Sequence, residues 1–83
     1  MKLRYFAWVR ERIGREEEEI DLPPNIKTVE DLISYLKTLG ENYAYALEQP
    51  DLIRVAVDEE HVDHDSLLGD PHEIALFPPM TGG

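Results

Sequence analysis

The sequence contains no cysteine. Disulfides, thiolate nucleophiles and zinc–thiolate centres are therefore excluded, and so small a domain must hold together on its core alone. Basic residues are scarce: 8 Lys and Arg stand against 18 Asp and Glu, giving a net charge of −10. Nucleic acid and anionic membranes both need a basic face to displace counterions, so neither is expected as a partner. No stretch approaches the roughly 20 apolar residues that cross a bilayer. The opening MKLRYFAWV carries charge too early for a secretory signal. The five glycines are scattered except at the end, which leaves no phosphate-cradling loop. These absences predict a soluble, cytoplasmic protein.

What is present is a globular composition: 42% apolar and 31% charged residues in a chain of 83. That length allows one core. Residues 2–8 alternate with period two, placing Leu3, Tyr5 and Ala7 on one face and Arg4, Phe6 and Trp8 on the other. Both faces carry apolar groups, so a central strand is expected, with Phe6 and Trp8 packed in the core. Residues 9–14 read as a turn or single helical turn stopped at Gly14. Residues 15–22 form a second strand. Its four consecutive glutamates, Glu16 to Glu19, suit an exposed edge, where charge blocks edge-to-edge pairing. An acidic docking patch is the functional alternative.

After Pro23-Pro24, Thr28 looks like an N-cap with Asp31 as its capping-box partner. Val29, Leu32, Ile33, Leu36 and Leu39 follow in one helical stripe, with Gly40 as the expected C-terminal cap. Tyr43, Ala44, Ala46 and Leu47 suggest a short second helix. Residues 52–57 read as a third strand, 58–60 as a turn, 61–63 as a short return strand and 73–77 as the last strand. One main helix on a mixed sheet of about five strands is α+β. Apolar first and last strands lying side by side in the centre would make it a β-grasp, ubiquitin-like fold. The expected division is a domain over residues 1–77 and an extended tail over 78–83.

Catalytic chemistry is hard to find in the body of the chain. His61 and His64 are spaced so that a strand would point their rings to opposite faces, and no third ligand follows a recognisable spacing. With His72 they read as solvated turn residues, and no metal site is expected. Ser34 and Ser66 lie in no nucleophile elbow. The carboxylates form a plentiful surface without a distinguishable acid and base.

The C-terminal stretch is different. Gly82 and Gly83 follow an apolar strand through only Pro78, Pro79, Met80 and Thr81. The two prolines stiffen the exit, and the six residues from Pro78 to Gly83 can extend up to about 20 Å. Glycines without Cβ atoms can enter a tunnel that admits only backbone. A terminal carboxylate, with a reference pKa of about 3.3–3.7, is ionised at neutral pH and is a poor electrophile. Activation must therefore come from a partner, most simply as an acyl-adenylate made from ATP.

These residues match a known family. The ending FPPMTGG, residues 77–83, and the opening YFAWVRERIG, residues 5–14, resemble the molybdopterin synthase small-subunit (MoaD) family of ubiquitin-like sulfur carriers. The resemblance covers essentially the whole chain. Met80 departs from the more usual Val, Asp58 from a frequent Asn, and Asp70-Pro71-His72 from the usual turn.

The resemblance implies that a partner similar to ubiquitin-activating enzymes adenylates Gly83, using ATP. It implies that sulfur from a cysteine-derived persulfide then converts Gly83 to a thiocarboxylate. The tail would enter a large subunit and deliver sulfur to cyclic pyranopterin monophosphate, in a heterotetramer. Gly82 would be the slim neighbour of the reacting terminus, and Phe77, Pro78, Pro79, Met80 and Thr81 would lie in the partner groove. No cofactor is expected to be bound by the chain itself. A thiamine-type sulfur carrier, a ubiquitin-like protein modifier and a β-grasp interaction module with an inert tail are the competing expectations. The charge of −10 further predicts basic surfaces on the partners.

Overall fold

The computed structural model of the chain describes residues 1–79. Strand β1 runs over Lys2–Tyr5, helix α1 over Ala7–Ile13, and strand β2 over Glu17–Glu19. Helices α2 (Val29–Leu36) and α3 (Glu41–Ala46) follow, and then a 3-10 turn at Pro50–Leu52. Strands β3 (Arg54–Val57), β4 (Glu60–Val62) and β5 (Glu73–Phe77) complete the domain. They form one mixed sheet in the order β2-β1-β5-β3-β4. β1 and β5 pair in parallel at its centre, in the register Leu3↔Ile74 and Tyr5↔Leu76. The other three pairings are antiparallel.

Leu3, Tyr5, Val55, Ile74 and Leu76 of the sheet join Val29, Leu32, Ile33 and Leu36 of α2 in one buried cluster. Val9 and Ile13 of α1 and Tyr43 and Ala46 of α3 extend it. Thr28 caps α2 as expected: its Oγ1 accepts from the Asp31 N–H at 3.1 Å, and the Asp31 carboxylate accepts from the Thr28 N–H at 3.2 Å. β2 is an edge strand, which accounts for its glutamates.

The first strand is shorter than its alternation suggests. The Phe6 N–H still bonds the Leu76 carbonyl, at 3.2 Å, but the Phe6 carbonyl already accepts from Arg10 N–H and the chain has entered α1. Phe6 is 38% exposed and Trp8 is half-buried, so neither belongs to the buried core. What fixes this stretch is the i, i+4 pair Val9 and Ile13, which a helix buries together and a strand would separate. The expected turn at residues 9–14 is thus the body of a seven-residue helix, closed by Gly14 in the left-handed region at φ 91°.

Smaller corrections follow the same logic. β2 keeps three residues of the expected eight, and β3 starts after the 3-10 turn. β4 spans Glu60–Val62 rather than residues 61–63. α2 ends at Leu36, and Leu39 is exposed. Gly40 has an extended φ of 170° and leads into α3, so it is not a left-handed cap of α2.

Candidate functional site

The site is built around the end of β5. β1 and β3 pair with β5 on its two sides, so the strand carrying Phe77 is anchored by backbone hydrogen bonds on both edges. Alternation sends Ile74 and Leu76 into the core and Glu73, Ala75 and Phe77 to the opposite face. Register places Arg4 beside Ala75, Arg54 beside Phe77, and Ala56 beside both Ala75 and His61. These residues form an open face of the sheet from which the chain leaves. The His61 and Phe77 rings meet edge to face, with centroids 5.3 Å apart. The Arg4 guanidinium lies 5.4 Å from the centre of the Phe6 ring, and 3.8 Å from the Glu73 carboxylate. Phe77, Pro78 and Pro79 are half-buried. Met80, Thr81, Gly82 and Gly83 lie outside the described residues.

The histidines divide as their spacing requires. His61 turns to Phe77, whereas the His64 Nε2 donates to the Ile53 carbonyl at 2.7 Å and is tied into the fold. Among the described residues, no group of three or more His, Asp or Glu side chains could hold a metal ion. No helix there is long and apolar enough to cross a membrane. A groove of about 720 Å³ lies between Ile20, Leu22, Pro24, Ile26, Leu67 and Pro71. It adjoins Met1, at the end of the sheet remote from Phe77.

One polar cluster was not anticipated. Glu18 faces the core side of β2, and its Oε2 accepts from the hydroxyls of Tyr5 and Tyr43, both at 2.7 Å. Arg15 donates to its Oε1 at 3.2 Å. Burial, reinforced by the Glu18 charge, pushes the Tyr43 phenol up to about 12. The same causes hold Tyr5 well above the ordinary phenol range. The signal available in the sequence was that Glu18 shares the parity of Ile20 and Leu22, the apolar residues that follow β2. Its chemistry is structural: a half-buried acceptor for two hydroxyls.

The sheet order, the parallel central pair and the helix packed across it define a ubiquitin-like β-grasp carrier domain. The chain belongs to the ThiS family, which it matches over residues 3–83. It is similar to the molybdopterin synthase sulfur carrier subunit of Escherichia coli, with 39% identity covering 100% of this chain and 99% of that protein. Among solved structures it is similar to a putative molybdopterin converting factor, subunit 1, from Pyrococcus furiosus. That likeness has a TM-score of 0.72 and 32% identity, and covers 94% of each chain. It is also similar to SAMP1, the small archaeal modifier protein 1, of Haloferax volcanii. There the TM-score is 0.72 and the identity 27%, over 100% of this chain and 98% of that one.

Proposed function

We propose that this chain is the sulfur carrier subunit of a molybdopterin synthase and that Gly83 is its reacting terminus. The observation that carries the reading is the Gly82-Gly83 ending six residues beyond Phe77, the last residue of the central strand, in a chain of this family. A carboxylate oxygen of Gly83 attacks the α-phosphorus of ATP on an activating partner, releasing pyrophosphate and forming an acyl-adenylate. The terminal sulfur of a partner's persulfide attacks the acyl carbon and AMP leaves. A second thiol of the donor then takes the other sulfur as a disulfide, which frees the thiocarboxylate. In the large subunit the thiocarboxylate sulfur passes to cyclic pyranopterin monophosphate, and water returns Gly83 to the carboxylate. Two sulfurs per product require the carrier to cycle.

The chain's own residues bind and position. Phe77, Pro78 and Pro79 set the direction of the exit, and Met80 and Thr81 occupy the groove. Gly82 and Gly83 pass where side chains cannot. ATP is used by the activating partner and not held by this chain. The open face around Phe77 and His61 is the surface that the partners grip in turn.

The test is intact mass after co-expression with the adenylating enzyme and a sulfur source. A gain of one sulfur minus one oxygen, confined to the C-terminal peptide, is expected. Deletion of Gly82-Gly83 should abolish the gain and leave the fold intact. No gain, with an activating enzyme that works on its own carrier, would refute the reading. The likeness to a protein named a modifier favours one second reading, conjugation of Gly83 to lysines of other proteins. Isopeptide adducts in cell extracts would be its signature.

A further inference from the structure

We propose that the surface of α1 and α3 beside the strand exit is a second docking site, fitted to an acidic side chain flanked by an apolar one. Its occupant is the large subunit that receives the tail. The proposal rests on the sulfur-carrier reading above and adds a contact that lies off the sheet.

The first argument is charge. Lys2, Arg4, Arg10, Arg12 and Arg15 place five of the chain's 8 basic residues within its first fifteen positions, although the net charge is −10. α1 itself carries Arg10 and Arg12 against Glu11, so this end of an acidic molecule is locally basic and complements a partner patch of the opposite sign.

The second argument is the setting of Arg12. Its guanidinium lies 4.6 Å from the centre of the Trp8 ring and 4.3 Å from that of Tyr45. Attraction of the cation to both rings holds the planar group in place. The Glu48 carboxylate comes no closer than 3.8 Å, and no side-chain hydrogen bond from Arg12 forms among the described residues. A guanidinium pre-set in this way accepts a carboxylate in two parallel hydrogen bonds without further ordering.

The third argument is exposed apolar area that folding does not use. The seam between α1 and α3 is closed by Val9, Ile13, Tyr43 and Ala46, and by the Asn42 amide donating to the Ile13 carbonyl at 2.7 Å. Tyr45 lies outside that seam and is 52% exposed, and Leu52 is 41% exposed. Between Trp8, Arg12, Glu48 and Leu52 is a shallow cleft of about 270 Å³. Trp, Tyr and Arg around a small concavity are the composition of an interface anchor.

Continuity selects the occupant. Phe6 links the two surfaces: its N–H bonds Leu76, Arg4 lies over its ring, and α1 follows it directly. A large subunit that holds the tail and the face around Phe77 already reaches the edge of this surface.

The experiment is titration calorimetry of the full chain with the purified large subunit and, separately, with the purified adenylating enzyme. Wild type, Arg12→Gln, Tyr45→Ala and Tyr45→Glu are compared, with circular dichroism to confirm the fold. Expected is a loss of about tenfold or more in affinity for the large subunit in each variant, greatest for Tyr45→Glu, as befits an interface anchor. The affinity of wild type should also fall more steeply with salt than that of Arg12→Gln. Unchanged affinity in folded variants overturns the proposal, and so does a loss seen only with the adenylating enzyme. If Arg12→Gln fails to fold, the exposed Tyr45 variants decide. Failure of wild type to bind the large subunit at all would instead overturn the sulfur-carrier reading.

Discussion

Replacing Glu18 by Leu should destabilise the domain strongly, although Glu18 sits on an edge strand among four consecutive glutamates. Its carboxylate accepts both tyrosine hydroxyls, and its side chain is 14% exposed. Tyr5 is fully buried, so its orphaned hydroxyl would cost about 1–3 kcal/mol. Tyr43 retains some access to water, and its loss adds about 1 kcal/mol. The sum, about 2–4 kcal/mol, corresponds to a fall of roughly 10–25 °C in Tm for a domain of this size. The assay is denaturant unfolding followed by the fluorescence of the single tryptophan, Trp8. Repeating the substitution in a Tyr5→Phe, Tyr43→Phe background should reduce its effect to about zero, because no hydroxyl is left to orphan. pH supplies an independent check. Both phenols are raised in the folded state, so their contribution is complete below the ordinary tyrosine pKa of about 10. It is lost as pH rises through the folded-state values, about 12 for Tyr43, so stability should fall on the alkaline side. A cost below about 0.5 kcal/mol for Glu18→Leu in the wild-type background would refute the argument, since one buried unsatisfied hydroxyl alone exceeds it.

Other substitutions probe other elements. Asp58 and Glu59 hold positive φ values of 48° and 70° in the two-residue turn between β3 and β4. Glu59→Gly should therefore raise the denaturant midpoint, by about 0.5 kcal/mol in stability, and a lowered midpoint would contradict the strain argument. Thr28→Ala should cost about 1 kcal/mol through loss of the α2 cap, measured by thermal unfolding at neutral pH. Hydrogen bonds from the Lys27 and Thr28 N–H groups hold the Asp31 carboxyl below its ordinary range. Its contribution is present above the unfolded carboxyl pKa and fades as pH falls, so Asp31→Asn should flatten the acid limb of the stability curve. Phe77→Ala should weaken binding to the large subunit more than it lowers stability, and the reverse order would place the ring in the core.

The elements that were legible in the sequence are those with a single physical reading. Thr28 and Asp31 could form only a capping box before the stripe of Val29, Leu32, Ile33 and Leu36, and the structure shows that box. Residues 73–77 alternate without competition and form β5 with those bounds. Residues 6–13 were ambiguous because two periods overlap there. Arg4, Phe6 and Trp8 continue an alternation, while Val9 and Ile13 begin a helix, and burial of the second pair wins. Glu18 was hidden because its partners, Tyr5 and Tyr43, come from distant segments, and no local pattern announces a hydroxyl needing an acceptor. For the candidate site, the Gly-Gly ending was visible in the sequence, and the role proposed for it rests on that pattern and the family. The face around Phe77 was not, since it exists only once β4 brings His61 beside β5 across β3.

The placement of β5 bears on how so small a domain could carry the reacting terminus proposed above. A tail leaving an edge strand would be held by one ladder, and the grip of a partner could peel it. Here Arg54 pairs with Phe77 on one side, and Tyr5 pairs with Leu76 on the other. The Phe6 N–H adds one more bond to the Leu76 carbonyl beyond the last residue of β1. Pulling on Pro78 therefore loads two ladders at once. The residues behind those ladders, Tyr5, Val55, Ile74 and Leu76, are among the most deeply buried in the molecule. The departure of β1 into α1 at Phe6 is the local concession that this requires. It frees the edge of the ladder just where the tail begins, turns Phe6 outward beside Arg4, and leaves Ala7 at a φ of 52° that a non-glycine residue adopts only under constraint. The strained Ala7 and the exposed Phe6 thus adjoin the end of β5 where the chain exits, and the same backbone hydrogen bonds that fix the exit also fix the surface a partner would read.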